Sequence, residues 1–459
     1  MEEVNEKNKK KTFSSLFRLY FMIYFCFGIL PVNLENLLAL LPGTTKIGIG
    51  IAIAISLFAG MCGMITFGYL GDKITAKISR KKLFIITNLS WILSYGLIAF
   101  SLNYNFYLVF FITASFGTGA FLPIGFSIIS DLFPPQNRGN KYGAMQFSLA
   151  LGSGMGIILG GLIGTYLSFY GWRIAYGIGA IFGFLVLLTY IFKAIDPERG
   201  SAEPEFENFK GDFSYNYKLT LKSVFQLFKI KSVMALLVYI LFYGVAGSTL
   251  GNWGIFYLTS KINDPNAGLY GTTLYLLAGL GILFGTIIGG KLGDLYYNQG
   301  KVKGRMIISI TGLIIGVTLI IVFYLLPFFI DNTLQIVLSW VFFITIGLVG
   351  YTFSSFYSGN QFAIYSEVCV PELRSSTNAL NGVMVNIGGI IGNLLLSSLI
   401  ERDISFLPLS ILIILLVWLS GVSFWIITYI YYPRELKECR EILASRKIEI
   451  EEGKNKKSL

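Results

Sequence analysis

The sequence predicts an all-α polytopic membrane protein, with twelve transmembrane helices arranged as two six-helix bundles. Three observations carry this. Of the 459 residues, 54% are hydrophobic and only 13% charged, with a mean hydropathy of +0.68, whereas soluble domains hold roughly a quarter charged residues. The apolar residues gather into twelve continuous stretches, each near the about 20 residues that cross a hydrocarbon core. Finally, the two halves of the chain repeat each other's motifs at the ends of corresponding stretches. A transmembrane β-barrel would instead alternate over segments of about ten residues.

The opening stretch MEEVNEKNKKK is charged and reads as a disordered cytoplasmic tail over residues 1–16. The apolar run from Phe17 is too long for a cleavable signal region. Spans one to six cover roughly 17–41, 47–71, 83–102, 106–131, 142–165 and 174–193, making a first bundle over 17–193. A polar interruption at 194–232 begins DPERGSAEPEFENFKGD and continues YKLTLKSVFQLFKI. In the second piece Leu221, Val224, Phe225 and Phe228 fall at helical spacing, which predicts an amphipathic helix at the inner membrane face. Spans seven to twelve cover 233–258, 270–294, 306–327, 335–360, 377–400 and 408–430. They make a second bundle over 233–432, followed by a cytoplasmic tail at 433–459. The 51 glycines are spread through the spans, as expected where membrane helices approach closely.

The net charge of +11 follows orientation. With the N-terminus in the cytoplasm, all but four of the 36 Lys and Arg fall on that side; Lys46, Arg173, Lys261 and Arg402 lie on the other. This is the positive-inside asymmetry. It puts both termini in the cytoplasm, in the plasma membrane if the source is prokaryotic, and removes nucleic acid as the reason for the basicity. The run Lys73, Lys77, Arg80, Lys81 and Lys82 is then a cytoplasmic loop facing anionic membrane lipids. The four cysteines, Cys26, Cys62, Cys369 and Cys439, have no zinc or redox spacing. Histidine is absent, so any coupling to protons needs a carboxylate. No Walker loop, metal cluster or nucleophile triad is visible, so no cofactor, no metal and no enzymatic activity are expected.

The repeat singles out candidate functional residues. SDLFPPQNRGNKYGA (130–144) aligns with SEVCVPELRSSTNAL (366–380), matching Asp131 to Glu367, Pro135 to Pro371 and Arg138 to Arg374. GYLGD (68–72) aligns with GKLGD (290–294), each followed by a basic loop. A parallel repeat of two six-span bundles is a transporter arrangement, with a site near the midplane between the halves. Asp72 and Asp294, each closing a span after Leu-Gly, can accept bonds from the N–H groups of a neighbouring helix or pair with an Arg or Lys. The plain alternative is a solvated interfacial carboxylate; the duplication favours a gate. The expected charge network is Asp72, Lys73, Arg80, Asp131, Arg138, Asp294, Glu367 and Arg374, with Asp131–Arg138 and Glu367–Arg374 as pairs within each motif.

Inside the spans, Glu35 in LPVNLENLLALLP lies about 9 Å from the outer end by helix rise. A carboxylate at that depth is a functional candidate, for coupling or substrate contact, together with its neighbours Asn33 and Asn36. Pro31 and Pro42 flank it, so an irregular, hydrated helix end is the competing reading. Tyr24, Gln146, Asn252, Trp253, Tyr257, Tyr357, Gln361 and Asn386 sketch a mostly apolar, aromatic cavity with few charges. Such a cavity suits an amphiphilic or neutral small molecule better than a highly charged metabolite. Each asparagine taken alone reads as helix–helix glue.

GYLGDK…SRKK resembles the loop 2–3 signature of the major facilitator superfamily, with four extra residues before the basic cluster. FGYLGDK, ISDLFPPQNRG, LGSGMGIILGG and VPELRSSTNAL, with GWR at 171–173 and DPERG at 196–200, resemble its spinster-like branch over roughly residues 30–430. The resemblance implies a rocker-switch secondary transporter, and the branch includes lysosphingolipid and lysophospholipid carriers. The chain departs from that branch at Asn33 and Leu34, where an Asp-Arg pair is common, and in a fourth span that has neither Arg nor Glu. Span five has the spacing of an antiporter glycine motif (Gly143, Gly152, Gly156, Gly160, Gly161), but Ile157 replaces its proline, so close packing is the stronger reading. The expected function is therefore alternating-access transport of a lysolipid-like or neutral organic solute by a monomer, with the proton as candidate coupling ion. The alternatives are a sugar or drug transporter of the same superfamily and a non-transporting receptor or lipid scramblase on the same fold.

Overall fold

Each of the twelve apolar stretches is built on helix. In the computed structural model the described residues are 2–33, 37, 40–44, 46–73, 79–167, 170–206, 227–262, 264, 267–328 and 333–455. The helices of the first six stretches are α1 (Glu2–Val32), α2 (Lys46–Lys73), α3 (Arg80–Ile98), α4 (Tyr104–Thr118) continued by α5 (Phe126–Leu132), α6 (Pro135–Tyr166) and α7 (Gly171–Lys193). Those of the second six are α8 (Lys231–Ser260), α9 (Ala267–Asn298), α10 (Gly304–Leu325), α11 (Thr333–Ser354) continued by α12 (Tyr357–Val368), α13 (Arg374–Arg402), and α14 (Leu407–Gly421) continued by α15 (Ser423–Asn455). Ten helical segments among the described residues are long and apolar enough to cross a membrane. The second stretch has a shorter apolar core, Ile55–Gly71, and the third opens on Arg80, Lys81 and Lys82, which lowers its mean hydropathy.

Local chemistry sets where these helices start and break. Ser79 caps α3 by accepting from the Lys82 N–H, and Asn103 caps α4 by accepting from the Phe106 N–H at 2.9 Å. Between α4 and α5 the chain makes a π turn, Phe121–Gly125, around Pro123, which has no N–H to give. Phe133 and Pro134 are extended, which ends α5, and Pro135 then opens α6 at its first position. Two expectations meet the structure differently. The charged stretch read as a disordered tail is helical, since α1 begins at Glu2. The amphipathic helix expected on YKLTLKSVFQLFKI (217–230) falls mostly outside the described residues, which exclude 207–226.

The chain divides into two compact units, and neither is simply one half of the sequence. The first comprises Met1–Pro134, Ser148–Val224 and Pro371–Gly382; the second comprises Pro135–Phe147, Phe225–Val370 and Val383–Leu459. Each unit thus holds the opening turns of one helix from the other half: α13 in the first, α6 in the second. Within the first unit α1 packs on α6 through glycines. A methyl group added at Gly156 would collide with the Phe25 carbonyl, and Ser148 donates to the Phe17 carbonyl at 2.7 Å. Span five thus shows the glycine-mediated contact that its spacing suggested.

At the far end of α10 from Arg305, Lys261 ends α8 among apolar neighbours: Leu258, Ile262, Leu274, Phe328 and Phe343. Its ammonium donates to the Tyr324 carbonyl at 2.6 Å and lies 5.4 Å from the Tyr257 ring centre. Burial lowers its pKa to about 8, from an ordinary 10.5. Between those values the folded protein binds fewer protons than the unfolded chain, so stability rises with pH across that window and the penalty is complete below pH 8. Lys261→Met is therefore expected to flatten the rise in thermal midpoint between pH 8 and 10. An unchanged slope would remove Lys261 as its source.

Candidate functional site

Each unit gathers buried charge at one end. In the second unit, GKLGD (290–294) lies in the last turns of α9, which runs on to Asn298. The Asp294 carboxylate accepts from the backbone N–H groups of Gly139 (3.0 Å) and Asn140 (2.7 Å), near the start of α6. Arg305, in the first turn of α10, lies 2.8 Å from that carboxylate, donates to the Pro135 carbonyl at 2.8 Å, and stands 3.2 Å from Glu367. The second Glu367 oxygen accepts from the Tyr432 hydroxyl of α15. Asn360 accepts from Arg305 at 3.3 Å and donates to the Gly289 carbonyl at 3.0 Å. The Arg138 guanidinium lies 3.5 Å from the Ser366 carbonyl, and the Tyr142 and Ser366 hydroxyls meet at 2.7 Å. Arg138, Arg305 and Glu367 are essentially inaccessible to solvent. The approach depends on Gly139: a Cβ there would lie 2.5 Å from Arg305 Nη1 and 2.7 Å from Asp294 Oδ1.

The first unit builds a related cluster from the corresponding parts. Arg80 opens α3 and donates to Asp131 at 2.6 Å, to the Ser127 hydroxyl at 3.1 Å and to the Pro197 carbonyl at 2.7 Å. Arg374 opens α13, stands 3.3 Å from Asp131 and pairs with Glu203. The chain leaving α7 wraps onto this cluster. The Gly200 N–H donates to Asp131 at 2.9 Å, Ser201 donates to the Asp131 carbonyl at 2.9 Å, and Arg199 donates to the Gly71 carbonyl. Asp196 accepts from the Lys81 N–H at 3.1 Å. A buried carboxylate is tolerable only when paired and hydrogen-bonded in this way.

The network expected from sequence thus meets in two places, but its pairs are crossed. Asp131 meets Arg374 rather than Arg138, and Glu367 meets Arg305 while Arg374 goes to the first unit. The break at Phe133–Pro134 explains this: α5 and α6 are separate helices, so Asp131 and Arg138, seven residues apart, serve different units. The side chains of Asp72 and Lys73 lie outside the described residues.

A second feature is polar and uncharged. Asn252 on α8 donates to the Asn393 carbonyl oxygen at 2.9 Å, and the Trp253 indole N–H reaches the same oxygen at 3.2 Å. Asn393 on α13 donates in turn to the Ser248 hydroxyl at 3.0 Å and to the Gly389 carbonyl at 2.7 Å. Asn252 is exposed. An accessible amide within a membrane span belongs on a water-filled surface rather than against acyl chains.

The remaining expected residues fall as follows. Asn33 is buried and donates to the Ile29 carbonyl (2.9 Å) and the Gly160 carbonyl (3.0 Å), tying α1 to α6. Glu35 and Asn36 lie outside the described residues. Tyr24 packs edge-on against Tyr20 at 5.0 Å. Tyr257 and Tyr357 are buried, and Tyr357 joins an aromatic group with Tyr239 and Tyr243. Gln361 donates to the Tyr365 hydroxyl at 2.9 Å, while Gln146 and Asn386 are half-buried. Sequence reasoning missed Arg305, Glu203, Arg199, Tyr432, Ser248 and Asn393. Arg305 had a signal: it follows Asp294 in its basic loop as Arg80 follows Asp72.

The family model of the Major Facilitator Superfamily matches residues 16–393. Among curated relatives, "Multidrug resistance protein 3" of Bacillus subtilis is 33% identical over 29% of this chain and 25% of its own length. "Minor myo-inositol transporter IolF" of the same organism is 25% identical over 52% of this chain and 54% of its own length. "Protein spinster homolog 3" of Danio rerio is 30% identical over 30% and 27%, so the spinster-like resemblance is matched over less than a third of the chain. The chain spans between about a quarter and three-fifths of the curated relatives it matches. Its fold is that of the proton:xylose symporter XylE, with a TM-score of 0.66 at 14% identity over 92% of this chain and 95% of that one. The apolar helices make this an integral membrane protein and the family is one of carriers rather than enzymes; the chain belongs to the Major Facilitator Superfamily.

Proposed function

We propose that this protein is a carrier that moves a small, neutral, hydroxyl-bearing organic solute by alternating access. The observation that carries the solute class is the accessible amide patch of Asn252, Asn393 and Ser248 beside the Trp253 indole. Two amides and a hydroxyl offer both donors and acceptors, and an adjacent indole gives the apolar face of a polyol or sugar-like ring something to stack on. The four described residues that make the patch carry no charge to hold an anion or cation. The curated relatives are named for drugs, myo-inositol and other solutes, and the inositol carrier is the one whose substrate chemistry fits this patch.

The two charge clusters are the proposed latches on the cytoplasmic side, where the cation asymmetry puts both termini. Each holds the opening turns of a helix from the opposite sequence half, so breaking them would free that end to open. Glu35 is the candidate for proton coupling or substrate contact, on its place in the sequence alone.

Purified protein in liposomes is expected to take up a polyol or monosaccharide saturably, with competition by other polyols. Asn393→Ala should raise KM roughly threefold to tenfold, the worth of one or two neutral hydrogen bonds, with little change in the maximal rate. Competition by lysophospholipid alone would favour the amphiphile carrier instead. Binding without flux, or unselective lipid exchange, would point to a receptor or scramblase.

A further inference from the structure

The second unit has an open groove that neither charge cluster uses. It lies at the turn joining α9 to α10, has a volume of about 360 Å³, and is lined by residues including Tyr296, Lys301, Lys303, Gly304, Ile307 and Pro433. The turn is rigidly specified. Gly300 has φ +75°, open to glycine at little cost, the Lys301 N–H donates to the Tyr296 carbonyl at 3.0 Å, and the Gly304 N–H donates to the Lys301 carbonyl at 2.8 Å.

Two cations line this groove, each beside an aromatic ring. The Lys303 ammonium lies 4.3 Å from the centre of the Tyr429 ring, and the Lys301 ammonium 5.4 Å from that of Tyr296. None of the lining residues is acidic. The wall opposite the turn is Pro433, inside α15, which has no N–H to offer. Just beyond the cations the surface turns apolar: Ile307 is 46% exposed, and Ile426 and Ile430 are 51% and 60% exposed on the neighbouring helix. A cationic recess opening directly onto an apolar strip has the two parts of a phospholipid to match, in the right order.

We propose that this groove holds the phosphate head group of an anionic phospholipid, with the acyl chains lying along Ile307 and Ile430. Basic recesses at the inner membrane face are suited to anionic lipid head groups, and each lysine there contributes to the attraction. A free phosphate would satisfy the two ammonium groups but leave the apolar strip unused, which is why the lipid is the occupant proposed.

The test uses the full chain purified in detergent, with phosphatidylglycerol added and bound lipid counted by native mass spectrometry. One phosphatidylglycerol per chain should be retained in preference to phosphatidylcholine. Lys301→Gln with Lys303→Gln should weaken that retention roughly 25-fold, at about fivefold per lysine. Lys193→Gln, an exposed cation at the end of α7, should leave it unchanged. Millimolar inorganic phosphate should not displace the lipid. The proposal is overturned if the double variant retains lipid as the unaltered protein does, if Lys193→Gln weakens it equally, or if inorganic phosphate competes.

Discussion

Arg305→Leu should be the most damaging single substitution in the second unit, lowering stability by about 3–5 kcal/mol, the usual cost of breaking a buried ion pair from one side. The guanidinium stands between two carboxylates, Asp294 and Glu367, and also holds the Pro135 carbonyl at the head of α6. Leucine would leave both acids buried without their cation and the carbonyl without that donor. The readout is the thermal midpoint of the purified protein. Adding Asp294→Asn and Glu367→Gln to the same background should recover much of the loss, because uncharged amides cost less to bury than unpaired carboxylates. Arg434→Leu is the contrasting case: its pair with Glu438 is exposed, one helical turn apart, and its loss should leave the thermal midpoint unchanged. If Arg305→Leu melts where the unaltered protein does, the cluster does not hold α6.

The parts of this site that repeat in the sequence were legible there; the way they pair was not. Gly-Asp in the last turns of α2 and α9, and the acid and arginine flanking each proline break, could be read directly because the chain states each of them twice. Pairing is set by which unit the opening of α6 or α13 joins, and that is a tertiary choice with no local signal. Glu203 and Arg199 sit in a polar interruption whose composition reads as linker, although they are buried in the first cluster. Asn393 was overlooked for a different reason: within IGNLLLSS a lone amide has the signature of helix packing, and only its accessible partner Asn252 distinguishes it. The helical opening of α1 follows from simple propensity. From Glu2 to Phe27 there is no glycine or proline, so a helix seeded in the apolar span extends backward through Lys and Glu, both good helix formers.

Gly139→Val should release the opening of α6 from the second cluster while leaving every charged group in place. A side chain there would press on the Arg305 guanidinium, the Asp294 carboxylate and, at 2.9 Å, the Gly290 carbonyl. The last is backbone of α9 and cannot swing aside, so the helices must separate. Separation forfeits the bonds from the Gly139 and Asn140 N–H groups to Asp294. At about 1.5–3 kcal/mol for each bond to a charged group, the combined loss is roughly 3–6 kcal/mol. A bias of even 3 kcal/mol changes a two-state population ratio by about 150-fold. The reporter is Thr286→Cys, because Thr286 is buried and Gly143 of α6 lies directly against its carbonyl. In a background with the half-buried Cys62 replaced, a water-soluble maleimide should label position 286 slowly, and at least tenfold faster once Gly139→Val is added. Gly154→Val supplies the comparison on the same helix, since a Cβ at Gly154 would meet nothing within 4 Å and should leave the rate unchanged. Equal labelling with and without Gly139→Val would mean that the close approach of α6 to α9 is not what shields position 286.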